Sequence, residues 1–449
     1  MIDKSDNYEK RANAYIKKSI SYFKIGKVDE CIEAAGKAVR IGEENKDKKI
    51  IGKANITLGQ AARSQGDYDK ATQFLKESID IFSRKPEYRD NLFTVNRIYT
   101  HLLSSRGHFD QAIEILLDMK RNHWNNLNMQ NRTSVLTNLG TCYAKTGKLN
   151  EALELFLEAI EMKIRLGDKV GLSIAYYSLS MTYHMKREYD KAMEAAGNSL
   201  EICKALNDIS GISYAYISLA MINKKIGNLK KSVKYHNKSL EVSKPMHDLH
   251  LNLSNQIDLG FLYAETGEFD QVENIIDKLK EQIAELDNPY YRVELLKLKI
   301  SYYQNKGNTA QIEKLAREGL KEAKKAGLLS NYYDFLSSIL IEKNDDVIYK
   351  ELYENAYQSE NISYKIASYP GLIIYNMRND SLGSALKYAE EYNNALKDTH
   401  EIISFAGSLY YLAKVKKQMG KDYKKDLSQA RSQAKNLGLS PLLKKINSI

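Results

Sequence analysis

Apolar residues recur along the chain with the spacing of amphipathic helices that come in pairs. In the stretch 171–186 they lie three or four positions apart, which puts them on one face of a helix of four to five turns. The members of this face are Leu172, Ala175, Tyr176, Leu179 and Tyr183. The stretch 189–206 has the same spacing, so two helices with similar apolar faces follow one another.

A short polar segment with an initial glycine separates the two helices of a pair. The segment 66–71, Gly-Asp-Tyr-Asp-Lys-Ala, is a clear example, and Arg187 replaces the glycine in the copy at 187–192. Glycine suits the left-handed backbone that ends many helices. Other copies begin at Gly26, Gly107, Gly147, Gly227, Gly267 and Gly307, with weaker ones near Asn344, Asp380 and Gly420.

These segments follow one another at intervals of about 40 residues, which is the mark of a repeat architecture. We therefore predict an all-α solenoid of about eleven antiparallel helix pairs. Residues 1–320 hold eight regular repeats, residues 321–408 continue the solenoid with degenerate pairs, and residues 409–449 form basic capping helices. An array of this kind replaces the three globular domains that a chain of 449 residues would otherwise suggest.

Two further positions recur in each repeat. Asp69, Asp110, Asn150 and Asp190 lie where a second helix starts, so they can cap it or stabilise its dipole. A small residue lies five positions after the turn, and this allows the two helices of a pair to pack closely.

The array resembles tetratricopeptide repeats (TPRs) in their longer form, as in kinesin light chains, Pins-type adaptors and bacterial peptide-sensing regulators. The resemblance rests on leucine–glycine pairs in the first helices and on an aromatic residue four positions before the turn. These residues are Leu58-Gly59, Leu139-Gly140, Leu259-Gly260, Tyr143, Tyr183 and Tyr263. The resemblance implies a right-handed superhelix whose first helices line a concave groove.

Composition and motifs argue against catalysis and against a membrane span. The sequence has none of the phosphate-binding, zinc-protease or nucleophile-elbow motifs, so we expect no enzyme activity, no catalytic residue, no cofactor and no metal. No apolar stretch is long enough for a transmembrane helix, and no signal peptide is visible. Three distant cysteines favour a reducing, cytoplasmic location.

The second and third repeats carry a basic groove patch. The resemblance places Lys53, Arg63, Arg97 and His101 on the groove face, without an acidic residue among them. Such a patch suits a carboxylate, either a peptide C-terminus or an acidic side chain. The alternative is a solvated basic face with no ligand.

The fifth to seventh repeats place an apolar band on the same face. Met and aromatic side chains suit adaptable apolar recognition, and an open apolar groove is typical of partner binding or self-association. The alternative is that other parts of the solenoid cover the band. We predict a partner-binding groove formed by Tyr177, Met181, His184, Met185, Tyr214, Ile217, Met221, Lys224, Ile257 and Phe261.

Most of the net charge of +10 is concentrated at the C-terminus. Residues 411–449 contain ten lysine and arginine residues against two aspartates. No aromatic residues alternate with these lysines as a nucleic-acid surface would require, so we do not expect a nucleic-acid partner. We expect instead a solvated final helix pair.

These patterns favour a non-enzymatic scaffold that holds a protein or peptide segment in the groove. The alternative is a cytosolic receptor for a small signalling peptide, which would act through a separate effector chain because the first repeat starts near residue 8. Homo-oligomer formation stays open.

Overall fold

The computed structural model describes residues 4–246, 249–286, 288–399 and 401–449, and this part of the chain is helical without a strand. It forms two compact units, residues 1–188 and 189–449, and the boundary in the sequence lies between the two helices of the fifth predicted repeat. The helices of unit 1 are α1 (Lys4–Lys24), α2 (Val28–Glu44), α3 (Lys48–Ser64), α4 (Tyr68–Ser83), α5 (Arg89–Ser105), α6 (Phe109–Asn122), α7 (Met129–Lys145), α8 (Leu149–Leu166) and α9 (Lys169–Met185).

Unit 2 contains fourteen α-helices in its described residues and a single π-helical turn, Tyr353–Tyr357, directly after the shortest of them. The helices are α10 (Tyr189–Ala205), α11 (Ile209–Lys225), α12 (Leu229–Ser243), α13 (Leu249–Thr266), α14 (Phe269–Leu286), α15 (Pro289–Lys306), α16 (Ile312–Ala326), α17 (Leu329–Glu342), α18 (Asp346–Leu352), α19 (Ile362–Arg378), α20 (Leu382–Thr399), α21 (Ile402–Gln418), α22 (Lys424–Leu437) and α23 (Ser440–Asn447).

The predicted all-α array of about eleven helix pairs is confirmed. Helices α1 to α22 follow one another as eleven pairs in the described residues, and α23 comes after them. Within each unit the first helices of successive pairs also contact one another, α3 with α5 in unit 1 and α13 with α15 in unit 2. The first helices therefore form a shared face in each unit, and side chains predicted on that face lie on neighbouring helices.

A left-handed residue ends the first helix of nearly every pair. Gly66 has φ +79°, and Arg187 and Asp380 adopt the same conformation without being glycine. After Gly66 the side chain of Asp67 accepts a hydrogen bond from the Lys70 backbone N–H at 3.1 Å and caps α4. The turn near Asn344 differs, because the preceding residue is extended and Asp345 caps α18.

The recurring acidic residues lie one position inside the second helices. Helices α4, α6 and α10 begin at Tyr68, Phe109 and Tyr189, so the aspartate that follows each of them lies in the first turn. There its negative charge interacts favourably with the helix dipole. Of the two expected roles, capping and interaction with the dipole, the geometry supports the second.

Glycine and serine allow close contact between the two helices of a pair. A Cβ atom at Gly52 of α3 would lie 2.7 Å from Cζ of the fully buried Phe82 on α4. The hydroxyl of Ser78 donates to the Gly52 carbonyl at 3.0 Å, and Ser239 repeats this bond to Ser213 at 3.1 Å in unit 2. These buried bonds hold the two helices of a pair together and satisfy the hydroxyl.

Tyrosine side chains fill the region in which the repeat motif weakens. Tyr349 stacks on Tyr375 with ring centroids 4.2 Å apart, and Tyr353 stacks on Tyr357 at 5.3 Å. These stacked rings connect the short α18 and the π-helical turn with α19. Large aromatic contacts thus add to small-residue packing, which persists where the Gly371 backbone N–H donates to Ser337 Oγ at 2.9 Å.

We predict that Gly52→Ala destabilises the protein. The new methyl group would collide with the Phe82 ring, and overpacking of this kind costs about 1–3 kcal/mol. Gly36→Ala is the matched control, since Gly36 is also inside a helix but a Cβ there meets no atom within 4 Å. The control should gain about 0.5–1 kcal/mol from helix propensity. Thermal unfolding followed by circular dichroism measures both, and equal shifts in Tm would contradict the proposed contact.

Candidate functional site

Unit 1 brings three of the four predicted basic-patch residues together. Arg63 lies at the end of α3, and Arg97 and His101 lie one turn apart on α5. Arg63 Nη1 donates to His101 Nδ1 at 2.6 Å. Lys53 is ten residues before Arg63 on the same helix, about 15 Å away along its axis.

The patch keeps its histidine neutral. Desolvation, together with the charges of Arg63 and Arg97, lowers the pKa of His101 below its usual value. A neutral imidazole can accept the hydrogen bond from Arg63, whereas an imidazolium cannot. Because Arg63 Nε is buried without a hydrogen-bond partner, the guanidinium keeps an unused donor.

The predicted groove residues of unit 1 lie on one helix. Tyr177, Met181, His184 and Met185 are all on α9, at intervals that place them on one side of it. Met185 is 45 % exposed, and the other three are half-buried.

The predicted groove residues of unit 2 differ in exposure. Four of them lie on α11, where Tyr214 is exposed and Ile217, Met221 and Lys224 are half-buried. On α13, Phe261 is half-buried, whereas Ile257 is 4 % exposed and belongs to the core that α13 shares with α14 and α15. Ile257 therefore packs the helices together and is not part of an open surface.

The C-terminal helices of unit 2 fold back onto its earlier helices. An ion pair between Lys225 and Glu401 joins the end of α11 to the start of α21. Helix α23 contacts α13 and α15, and its Ile446 is fully buried. A Cβ atom at Gly227 would lie 2.9 Å from Leu437 Cδ2, which shows how closely the end of α22 approaches the α11–α12 turn.

This arrangement forms a cleft of about 500 Å³, which we call the interior cleft. It lies between α13, α15, α17, α19, α20, α21 and α23, so the first helices provide most of its wall. Such a volume falls in the range of ligand pockets. The side chains that determine its chemistry are Phe261, Glu265, Lys297, Asp334, Tyr392 and Lys445.

Charged groups of both signs face the interior cleft. Lys297 Nζ lies 2.9 Å from an Asp334 carboxylate oxygen. Burial lowers the pKa of Lys297, but the negative charges of Asp334 and Glu294 have the larger combined effect, so the pKa of this lysine is raised. Burial raises the pKa of Glu265, and the charges of Lys224 and Lys445 only partly offset the effect.

Tyrosines add neutral hydrogen-bond donors to the charged groups of the interior cleft. Burial raises the pKa of Tyr392 and Tyr411, so both phenols stay protonated and can donate hydrogen bonds. With the charged groups, they give the cleft the donors and acceptors that a peptide backbone needs.

Most of these cleft residues were missed by sequence reasoning. Phe261 was predicted, and Glu265 belongs to the same face of α13. Lys297 lies in the eighth regular repeat but was not named, and Asp334 and Tyr392 lie in the degenerate region 321–408. The C-terminal lysines were expected to be solvated, yet Lys445 faces the cleft. The fold-back of α23 is a tertiary contact without a local sequence pattern.

Neither a metal centre nor a membrane helix emerges from the described ranges. They contain no cluster of three or more His, Cys, Asp or Glu side chains that could hold a metal ion. Among the same residues, no helix is both long and apolar enough to cross a membrane.

Comparison with protein families supports the repeat assignment. The tetratricopeptide repeat model matches residues 10–84 and 131–205. A second model, anaphase-promoting complex subunit 5, matches residues 176–257.

Two curated relatives share part of the sequence. Tetratricopeptide repeat protein 29 of Macaca fascicularis is 27% identical over 140 residues, which are 30% of this chain and 29% of that protein. Stress-induced-phosphoprotein 1 of Caenorhabditis elegans is 38% identical over 74 residues, 16% of this chain and 23% of that protein. The chain thus spans less than a third of the length of these relatives.

Among solved structures, the apo form of the quorum sensor NprR from B. thuringiensis has a similar fold. The TM-score is 0.51 at 13% identity, over 84% of this chain and 99% of that one. At this identity the likeness concerns the fold alone. The helix pairs, the left-handed turns and the family match together show that the chain is a TPR-like helical repeat protein.

Proposed function

We propose that the protein is a non-enzymatic scaffold that binds a peptide or a segment of a partner protein against its first helices. The observation that carries this proposal is the interior cleft of unit 2. Its volume, its apolar Phe261 and its buried polar groups match the requirements of a short extended peptide. Apolar burial would provide most of the affinity, and the polar groups would fix orientation.

The exposed residues of the predicted groove extend this proposal. Met185 on α9 and Tyr214 on α11 present apolar surface to solvent in their respective units. We propose that they contact a partner, as do the half-buried groove residues beside them. Ile257 has a packing role instead.

A second candidate function is a receptor for a small signalling peptide that acts through another chain. The fold-back of α21 to α23 favours it, because a partly covered cleft accepts a short ligand more readily than a long chain that must pass through. The quorum sensor with a similar fold is consistent with this candidate. A cytoplasmic location belongs to the same proposal, since the buried Cys31 and Cys142 thiols form no disulfide.

We predict that Gly407→Phe blocks ligand binding in the interior cleft. Gly407 lines the cleft on α21, and a Cβ there meets no atom within 4 Å, so the ring would enter open space. Retention of a randomised heptapeptide pool by the purified full chain should fall at least about tenfold, because the ring occupies the volume of a bound side chain. The retained peptides are measured by mass spectrometry after size-exclusion chromatography.

Gly383→Phe is the control for that experiment. Gly383 lies on α20, is exposed and has equally open surroundings, but it does not line the cleft. This variant should retain peptides like the parent protein. The proposal would be wrong if the parent retained no peptide or if Gly407→Phe left retention unchanged.

We also predict that Arg63→Met raises the pKa of His101. The substitution removes one of the two positive charges that oppose protonation, whereas the desolvation remains, so the pKa should move towards its usual value without reaching it. NMR titration of the histidine ring measures this change. Arg121→Met, on the exposed end of α6, is the control and should leave the titration of His101 as it is in the parent protein. An unchanged pKa of His101 in Arg63→Met would mean that the basic patch does not form.

A further inference from the structure

A second cavity, of about 630 Å³, adjoins the interior cleft at its C-terminal side. The two share Gln304, Ile341, Tyr410, Tyr411 and Lys445 as lining residues, so they are continuous around these side chains. We call the second one the C-terminal cavity. A ligand in the interior cleft can therefore extend one end or one side chain into it.

Two lysines from different helices face the C-terminal cavity. Lys414 is on α21 and Lys445 is on α23, and both are half-buried. In the described chain, no carboxylate oxygen lies within the 4.0 Å ion-pair distance of either ammonium group. The Lys414 ammonium lies 6.0 Å from the ring centroid of Tyr410, a contact that offers only weak compensation.

Both ammonium groups are held in an unfavourable environment. Burial lowers the pKa of Lys414, and the guanidinium of Arg378 lowers it further. Burial also lowers the pKa of Lys445, where the repulsion from Lys414 adds to the effect and Glu265 and Glu342 partly oppose it. An anion that contacts both ammonium groups would offset the cost of burying two positive charges close together.

The other charged residues do not neutralise this pair. Arg378 donates from Nη1 to the Leu340 carbonyl, 3.0 Å away, and from Nη2 to the Ile341 carbonyl, and these neutral acceptors leave its positive charge in place. Two carboxylates, Glu342 and Asp380, also line the cavity, and burial raises the pKa of Glu342. The cavity thus combines three cations from three different helices with two carboxylates, and among the described residues neither carboxylate forms an ion pair with Lys414 or Lys445.

We propose that the C-terminal cavity is a carboxylate-binding subsite, in which Lys414 and Lys445 hold an acidic group of the peptide bound in the interior cleft. The inference rests on the proposed function and specifies its ligand class. The carboxylate is either the C-terminus of the peptide or an aspartate or glutamate side chain. Because Lys445 belongs to α23, binding also fastens the last helix of the chain onto the cleft.

Three synthetic heptapeptide pools test the subsite with the full chain. The first pool contains no Asp or Glu and has free C-termini, the second has the same residues with amidated C-termini, and the third is amidated but contains Asp and Glu. The first or the third pool should be retained at least about tenfold more than the second. Stronger retention of the first identifies the C-terminal carboxylate, and stronger retention of the third identifies an acidic side chain.

Lysine variants show whether this preference depends on the cavity. Lys414→Met and Lys445→Met should each abolish it, while Lys425→Met, which removes an exposed lysine from the neighbouring α22, should keep it. Should a variant fold poorly by Tm, ¹³C-dimethyl-lysine NMR of the parent protein provides a second measurement. The preferred pool should raise the pKa of both Lys414 and Lys445.

The outcomes separate this inference from the proposed function. Equal retention of all three pools would refute the carboxylate subsite and leave peptide binding intact. A charge preference that survives both lysine substitutions, or that leaves both lysine pKa values unchanged, would also refute it. Failure to retain any pool would overturn the proposed function together with the subsite.

Discussion

A backbone conformation with positive φ at the end of nearly every first helix is the constraint on which the other features depend. It reverses the chain within a few residues, so that the second helix packs beside the first, and it does so at Gly66 as at Arg187. Glycine adopts this conformation without the steric cost that a Cβ atom brings, which explains its frequency at these turns. Because the chain reverses in the same way at these turns, buried contacts recur from one helix pair to another. The hydrogen bond of Ser78 to the Gly52 carbonyl is an example.

Stacked helix pairs convert local geometry into a binding surface. Within each unit, neighbouring first helices such as α3 and α5 or α13 and α15 contact one another, so side chains about 40 residues apart in sequence meet on one face. Arg63 and His101 meet in this way in unit 1, as do Lys297 and Asp334 in unit 2. In unit 2 the return of the C-terminal helices adds Lys445 to the surface, and an open face becomes a cleft with polar groups on several sides.

The sequence predicted the features that are set by local chemistry. The prediction failed where tertiary contacts decide the position of a residue. The turns at Gly26 to Gly307, the helix pairs and the common face of Arg63 and His101 follow from a pattern that each repeat carries in its own residues. The Tyr349–Tyr375 stacking region preserves the helices with different packing, so the motif fades although the array continues. The positions of Lys414 and Lys445 depend on where α21 and α23 return, and Ile257 shows that an inward-facing position can belong to the core.

Hydrogen–deuterium exchange of the full chain, with and without retained heptapeptides, tests the central claim that unit 2 binds its ligand inside the cleft. Protection should appear in α13, α15, α17 and α21, which line the cleft, and in α23, which closes it. The second helices α14 and α16 serve as internal references and should exchange as in the free protein. Protection confined to α14 and α16, or none in the cleft helices at saturating peptide, would contradict the account.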